Sequence, residues 1–290
     1  MKYAVVLGAL LLIALPVRLP QTPTPELQAL VDTERAFARR ATVKGLRDSF
    51  LEYFAEDSIA LVPGAEPAPA RLRALPAQPF SDLEITWEPR LGDIALSNDI
   101  GWLTGPSTII DHTAAQPVPR FGNYLSIWRR QPDGRWRVYI DIGVNVPELP
   151  TFEPGFTRMP FRNRYTGQDG KSAATGTLAQ ADQSLNDRIS DAGAARAYAE
   201  RMIGASRLHR PGLRPAVGPD AIAAWATANA ASMSAASTAA EAAASGDLGY
   251  SYGTYTVTTP VSQKGAYVRV WTRDISGAWF VVADVAQPSR

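Results

Sequence analysis

The closing hairpin of this chain is written twice. Residues 124–143 read YLSIWRRQPDGRWRVYIDIG and residues 267–286 read YVRVWTRDISGAWFVVADVA. Trp128 thus answers to Trp271, Gly134 to Gly277, Trp136 to Trp279 and Asp141 to Asp284, each pair 143 positions apart. Earlier segments repeat at a spacing of 148. Leu30, Glu34 and Phe37 return as Leu178, Asp182 and Leu185, Gly45 as Gly193, Ser58 as Ser206, and Asn98–Trp102 as Gly246–Tyr250. A chain repeated over this length has to fold as two like units, so a reading made in one copy constrains the other. The change of spacing puts a five-residue shortening after Gly253.

Within each copy the order of elements follows from pattern. Pro25 to about Arg40 predicts a first helix with Leu30, Glu34 and Phe37 on one face, and Gly45 to Ala55 a second. A short strand, Ile59 to Val62, comes next. Pro219 to Ala244 reads by propensity as one Ala-rich helix. Its counterpart is broken by Pro76, Pro79 and Pro89, so the repeat predicts a helix ending near Met233 and a strand over Ser237 to Ala244. Asp133-Gly134 and Ser276-Gly277 predict two-residue hairpin turns. That register sets Trp128 across from Tyr139 and Ser126 across from Asp141. Leu125, Ile127, Trp136, Val138, Ile140 and Ile142 then form a core face. Tyr124, Ser126, Trp128, Tyr139 and Asp141 form a second face of mixed character. In the second copy the same register sets Arg269 across from Asp284 as a cross-strand ion pair.

Composition removes whole classes of function. With no cysteine there is no disulfide, thiol nucleophile or thiolate metal site. A net charge of +1 gives no footprint for nucleic acid. His112 and His209 alone supply no zinc site; His112 is expected in a loop and His209 facing solvent. No metal and no cofactor is expected. Met1-Lys2-Tyr3 followed by the apolar run Ala4 to Leu15 reads as a secretory signal short for a bilayer span, which predicts a periplasmic or secreted protein with no stable span after cleavage; a retained N-terminal anchor is the alternative. The organisation expected is a signal over 1–20, one unit over 25–147, a linker over 148–176 that lies on the surface, and a second unit over 177–290.

Helix, helix, strand, short helix and then about four antiparallel strands is an order that resembles the nuclear-transport-factor-2-like superfamily, which includes SnoaL-like proteins and ketosteroid isomerases. It resembles more closely the group within it called domain of unknown function 4440. Glu34 and Phe37, the Gly-Asp-Leu-Gly-Tyr-Ser-Tyr-Gly turn at 246–253 and the Gly-x-Trp hairpins carry the likeness. The resemblance implies an α+β fold: two tandem cone-shaped domains, each with N-terminal helices packed on a strongly curved antiparallel sheet around a pocket.

Glu34 and Asp141 are the candidate catalytic carboxylates. A buried carboxylate on an apolar helix face must find partners or shift its pKa, and the partnered, structural role is the simpler one for Glu34 and Asp182. A base at Asp141 or Asp284 would need an apolar wall and an acidic donor, Tyr53 or Tyr124 in the first copy and Tyr252 or Tyr267 in the second, the pairing that the resemblance implies for isomerases; structural pairing is the simpler role for these two aspartates as well. Tyr53, Trp87, Trp102, Asp182, Tyr250, Tyr252 and Asp284 are the candidate ligand-binding residues. The expected function is binding of a small, mostly apolar molecule. The alternatives are an isomerase or hydrolase using a pocket carboxylate, and a non-catalytic interaction module. A homodimer, or a pseudo-dimer within the chain in which Tyr124, Trp128 and Tyr139 meet Tyr267, Trp271 and Phe280, is the expected association. The Ala-rich stretch predicts the larger cavity in the second copy.

Overall fold

The computed structural model describes residues 23–289 except 63, 162, 231 and 260. The signal-like segment lies outside the described residues. Among those described, no helix is long and apolar enough to cross a membrane.

Helix α1 (Pro25–Tyr53) begins with Thr24 as N-cap, its side chain accepting from the Leu27 amide at 3.3 Å, and kinks at Gly45, where φ is 73°. It therefore contains both helices expected of the first copy. There follow β1 (Phe54–Leu61), β2 (Ala65–Pro67), α2 (Ala68–Ala74), β3 (Leu83–Trp87), β4 (Leu91–Ile94), β5 (Ile100–Asp111), β6 (Arg120–Arg130) and β7 (Trp136–Val146). The second half repeats the plan: α3 (Lys171–Ala192) and α4 (Ala194–Arg201) separated at Gly193, then β9 (Met202–His209), β10 (Ala216–Val217), α5 (Pro219–Asn229), β11 (Met233–Ala242), β12 (Leu248–Thr259), β13 (Val261–Arg273) and β14 (Trp279–Pro288). Helix α5 stops at Asn229, and the Ala-rich run continues as strand β11, as the repeat required against local propensity.

With β8 (Thr157–Arg158) supplied by the connecting segment, each half has its own sheet, β2-β1-β7-β6-β5-β4-β8 in the first and β10-β9-β14-β13-β12-β11 in the second, with β3 also paired to β5. Between the halves, β8 (Thr157–Arg158) adds to β4, and Arg158 and Arg164 both reach the buried Asp93. The connecting segment thus lies against the first sheet. The five-residue shortening sits where β12 and β13 meet at Thr259 and Val261, a turn that takes far fewer residues than the one joining β5 to β6.

The hairpin corrects the expected faces. The Gln131 amide donates to the Arg135 carbonyl at 2.8 Å, and Arg130 pairs with Trp136, so the turn has three residues with Gly134 at φ 82°. A bulge at Tyr139 then restores the predicted pairing of Ser126 with Asp141. Trp128 consequently faces Val138 and packs with Trp136 against Leu27, Leu30 and Phe37 of α1. Trp271 and Trp279 do the same beneath α3. The opposite faces, with Leu125, Ile127, Ile140 and Ile142 from one sheet and Val268, Val270 and Val285 from the other, pack together as one apolar cluster. The contact expected between the halves is thus only partly the one observed: Tyr139 meets Tyr250 at 5.6 Å within a largely aliphatic contact, whereas Trp128, Trp271 and Tyr267 serve the interior of their own unit.

A pseudo-twofold axis relates the halves. Ser97 Oγ lies 2.8 Å from Ser245 Oγ, and each of these serines, 148 positions apart, accepts the other's backbone amide at 3.1 Å. The Leu96 amide donates to Asp247 at 3.2 Å while the Ala244 amide donates to Asp99 at 2.9 Å. Reciprocal contacts between equivalent residues are the mark of an isologous interface, here formed within one chain.

Candidate functional site

A cavity of about 360 Å3 opens in the first unit between the second half of α1 and the sheet face turned toward it. Leu46 and Phe50 of α1 and Ile85, Trp87 and Ile109 of the strands make its apolar wall. Tyr124 and Asp141, diagonal neighbours on β6 and β7, bring the polar groups. Asp141 is half-buried, and burial followed by the neighbouring Glu34 carboxylate pushes it from the ordinary 3.8 up to about 8. Tyr124 is 6 % exposed, its hydroxyl has no hydrogen-bond partner among the described residues, and burial holds it well above the usual phenol range. An unpartnered buried hydroxyl beside an unpaired carboxylic acid is costly for the empty protein and well suited to a ligand with one polar group.

Glu34 stands deeper and is saturated. It accepts from Trp87 Nε1 at 2.6 Å, Ser126 Oγ at 2.7 Å and Trp128 Nε1 at 2.8 Å. Burial raises its pKa and these three donors oppose the rise. The carboxylate ties α1 to β3 and β6, the structural role the sequence made the simpler one.

The second unit puts salt bridges where the first has space. Arg269 replaces Ser126 and is fully buried, with Nη1 at 2.7 Å from Asp182 and Nε at 2.9 Å from Asp284. The register predicted for the Arg269–Asp284 pair is the register observed. Arg210 closes on Asp284 from the other side at 2.8 Å. Burial would raise Asp284, but Arg210 and Arg269 outweigh it and hold this carboxyl below the usual range. Tyr255, paired with Gly265, stands where the first unit has Ser107 paired with Gly122. The larger cavity expected in the second copy is therefore absent from its interior: two serines of the open cone are Arg269 and Tyr255 here. The groove of about 370 Å3 that remains lies outside them, lined by Trp225, Tyr255 and Arg210.

The structure brings only part of the predicted set together. Trp87 and Asp141 line the cavity, and Tyr124, proposed as the acidic partner, lies beside Asp141. Tyr53 does not face this cavity; it stacks on Phe37 at 4.8 Å and borders a separate groove with Glu52 and Arg137. Trp102, Tyr250 and Tyr252 belong to the apolar contact between the two sheets, because their strand face is the one turned away from the helices. Asp182 and Asp284 are consumed by Arg269. His209 is fully buried between the units rather than solvent-facing, with Nδ1 2.6 Å from Asn123 Nδ2, while His112 is exposed beside Glu84. Ser107, Leu46 and Phe50 were missed. The signal for Ser107 was present as a small-for-large exchange between the copies.

No protein-family model and no curated protein matches the sequence. Among solved structures, the chain is similar to an NTF2-like protein of unknown function from Pseudomonas putida, with 14 % identity over 41 % of this chain and 88 % of that one and a TM-score of 0.34. It is also similar to a ketosteroid isomerase-like protein from Erwinia carotovora atroseptica, with 18 % identity, coverage of 41 % and 95 %, and a TM-score of 0.32. An NTF-2 like protein of unknown function from Shewanella oneidensis gives 14 % identity, coverage of 39 % and 97 %, and a TM-score of 0.32. By its own topology, helices seated on a largely antiparallel sheet and the whole arrangement present twice, the chain is an α+β protein of two tandem like units.

Proposed function

We propose that the first unit binds a small, mostly apolar molecule carrying one polar group, with Tyr124 donating to that group and Asp141 beside it. The observation that carries this reading is the buried, unpartnered Tyr124 hydroxyl in an apolar cavity whose counterpart in the second unit is filled. A thermal-shift screen against steroids, lipids, polyketide-like aromatics and nucleotides tests it, since a ligand that prefers the native state raises apparent stability. The expected result is a shift from a neutral apolar class that is lost in Tyr124→Phe; shifts unaffected by Tyr124→Phe and Asp141→Asn would refute it. The signal-like start supports export as the setting of this binding.

A second reading, proton transfer on a bound carbonyl compound, is favoured by the rise of Asp141 to about 8. As a base it would work only once ionised, so turnover would climb toward a plateau above that pH. A rate that is flat from neutral pH upward would remove this reading and leave the binding one intact.

A further inference from the structure

The cavity of the first unit is not closed by the first unit alone. Pro211, Gln287 and Pro288, all from the second unit, stand at its rim with Asn145 of β7. Two polar contacts hold the loop that carries Pro211: the Gly212 amide donates to the Asn145 carbonyl at 2.7 Å, and Asn123 Nδ2 lies 2.6 Å from His209 Nδ1. His209 is held neutral, burial pushing it down from 6.5 to about 3, so its Nδ1 accepts from the Asn123 amide. On the pseudo-symmetric side the corresponding residues are Leu61 and Ala266, an apolar pair. The polar clamp is therefore built only on the side where the cone is open. Sites between domains are a common place for ligands, because each domain supplies a wall that neither could fold alone.

We infer that the second unit, its own cone filled, serves as the outer wall of the first unit's site, with Gln287 and Pro211 shaping the end of the ligand farthest from Tyr124. This rests on the binding reading above and adds to it a composite site whose selectivity is set partly by the other copy. Ligand binding and docking of the two units then become linked, each strengthening the other.

The test uses the full chain and the neutral, solvatochromic naphthyl ketone prodan as probe, with three variants. Tyr124→Phe reports on the site itself, Gln287→Trp fills the rim from the second unit, and His209→Leu with Asn123→Ala replaces the clamp by the apolar pair of the symmetric side. The inference expects Tyr124→Phe and Gln287→Trp each to weaken binding by about tenfold or more. The clamp replacement should weaken it less while leaving both units folded by circular dichroism. If Gln287→Trp disturbs folding, Gln287→Gly takes its place, with faster dye release expected. Weakening by Tyr124→Phe together with wild-type binding and release in the Gln287 and clamp variants would overturn the composite wall and spare the binding reading. Wild-type binding in Tyr124→Phe, or no binding to the parent chain, would overturn both.

Discussion

One of the two exchanges that separate the open cone from the filled one also carries a buried charge network. Ser126 and Arg269 occupy the same place on the same strand, yet the serine leaves Asp141 unpaired whereas the arginine binds Asp182 and Asp284 at once. Breaking a buried pair strands the remaining charges, so Arg269→Met should cost about 3–5 kcal/mol in urea unfolding, against about 1 kcal/mol for Ser126→Ala, which removes a single donor from Glu34. A cost for Arg269→Met no larger than for Ser126→Ala would mean that the buried network contributes little. Asp141 makes a pH prediction of opposite sign to that of a paired carboxylate. Its folded pKa lies above its unfolded value, so the folded state holds the proton longer, and stability falls as pH rises from about 4 to about 8. Asp141→Asn should remove that fall, giving a variant that gains on the parent between about pH 4 and about pH 8; parallel urea midpoints would contradict the shift.

At the scale of elements, two one-residue displacements explain what sequence could and could not reveal. The hairpin turn is one residue longer than Asp133-Gly134 alone suggests, and the bulge at Tyr139 puts the strand back in register. The displacements cancel beyond the bulge, so Ser126–Asp141 and Arg269–Asp284 were legible. Between turn and bulge they do not cancel, which is why Trp136 and Val138 were expected on the wrong face. Which sheet face meets the helices is a tertiary matter that alternation alone leaves open. The kinks were legible as paired glycines. Gly45 and Gly193 both take positive φ, at 73° and 85°, but a Cβ at Gly45 would lie 2.0 Å from the Gln78 carbonyl oxygen, whereas nothing lies within 4 Å at Gly193. Gly193→Ala should therefore cost the backbone strain of about 1–2 kcal/mol and Gly45→Ala distinctly more, read as the difference between two thermal midpoints. Equal losses would mean that the Gln78 loop moves aside freely.

For the whole molecule, duplication has produced a dimer-like arrangement in one chain, closed about Ser97 and Ser245, in which the copies have diverged inside their cones. The contact between them includes His209, whose folded pKa of about 3 lies below its ordinary 6.5. Its contribution is complete above about pH 6.5 and is lost as pH falls toward about 3, so acid should weaken the parent chain more than His209→Leu over that window. Identical acid profiles would show that His209 bears no part of the docking. The location of the cavity was the least legible feature, because it depends on Trp87, Ser107, Tyr124 and Asp141 of four different strands lying opposite Leu46 and Phe50 of α1. The central claim is that one cone is open and the other filled. A calorimetric titration with prodan tests it most directly, run on the parent chain and on Ser107→Tyr, which carries into the first cone the residue that Tyr255 provides in the second. One dye per chain and loss of binding in Ser107→Tyr with the fold retained are the expected results; two dyes per chain, or binding unchanged in Ser107→Tyr, would contradict a single open cone.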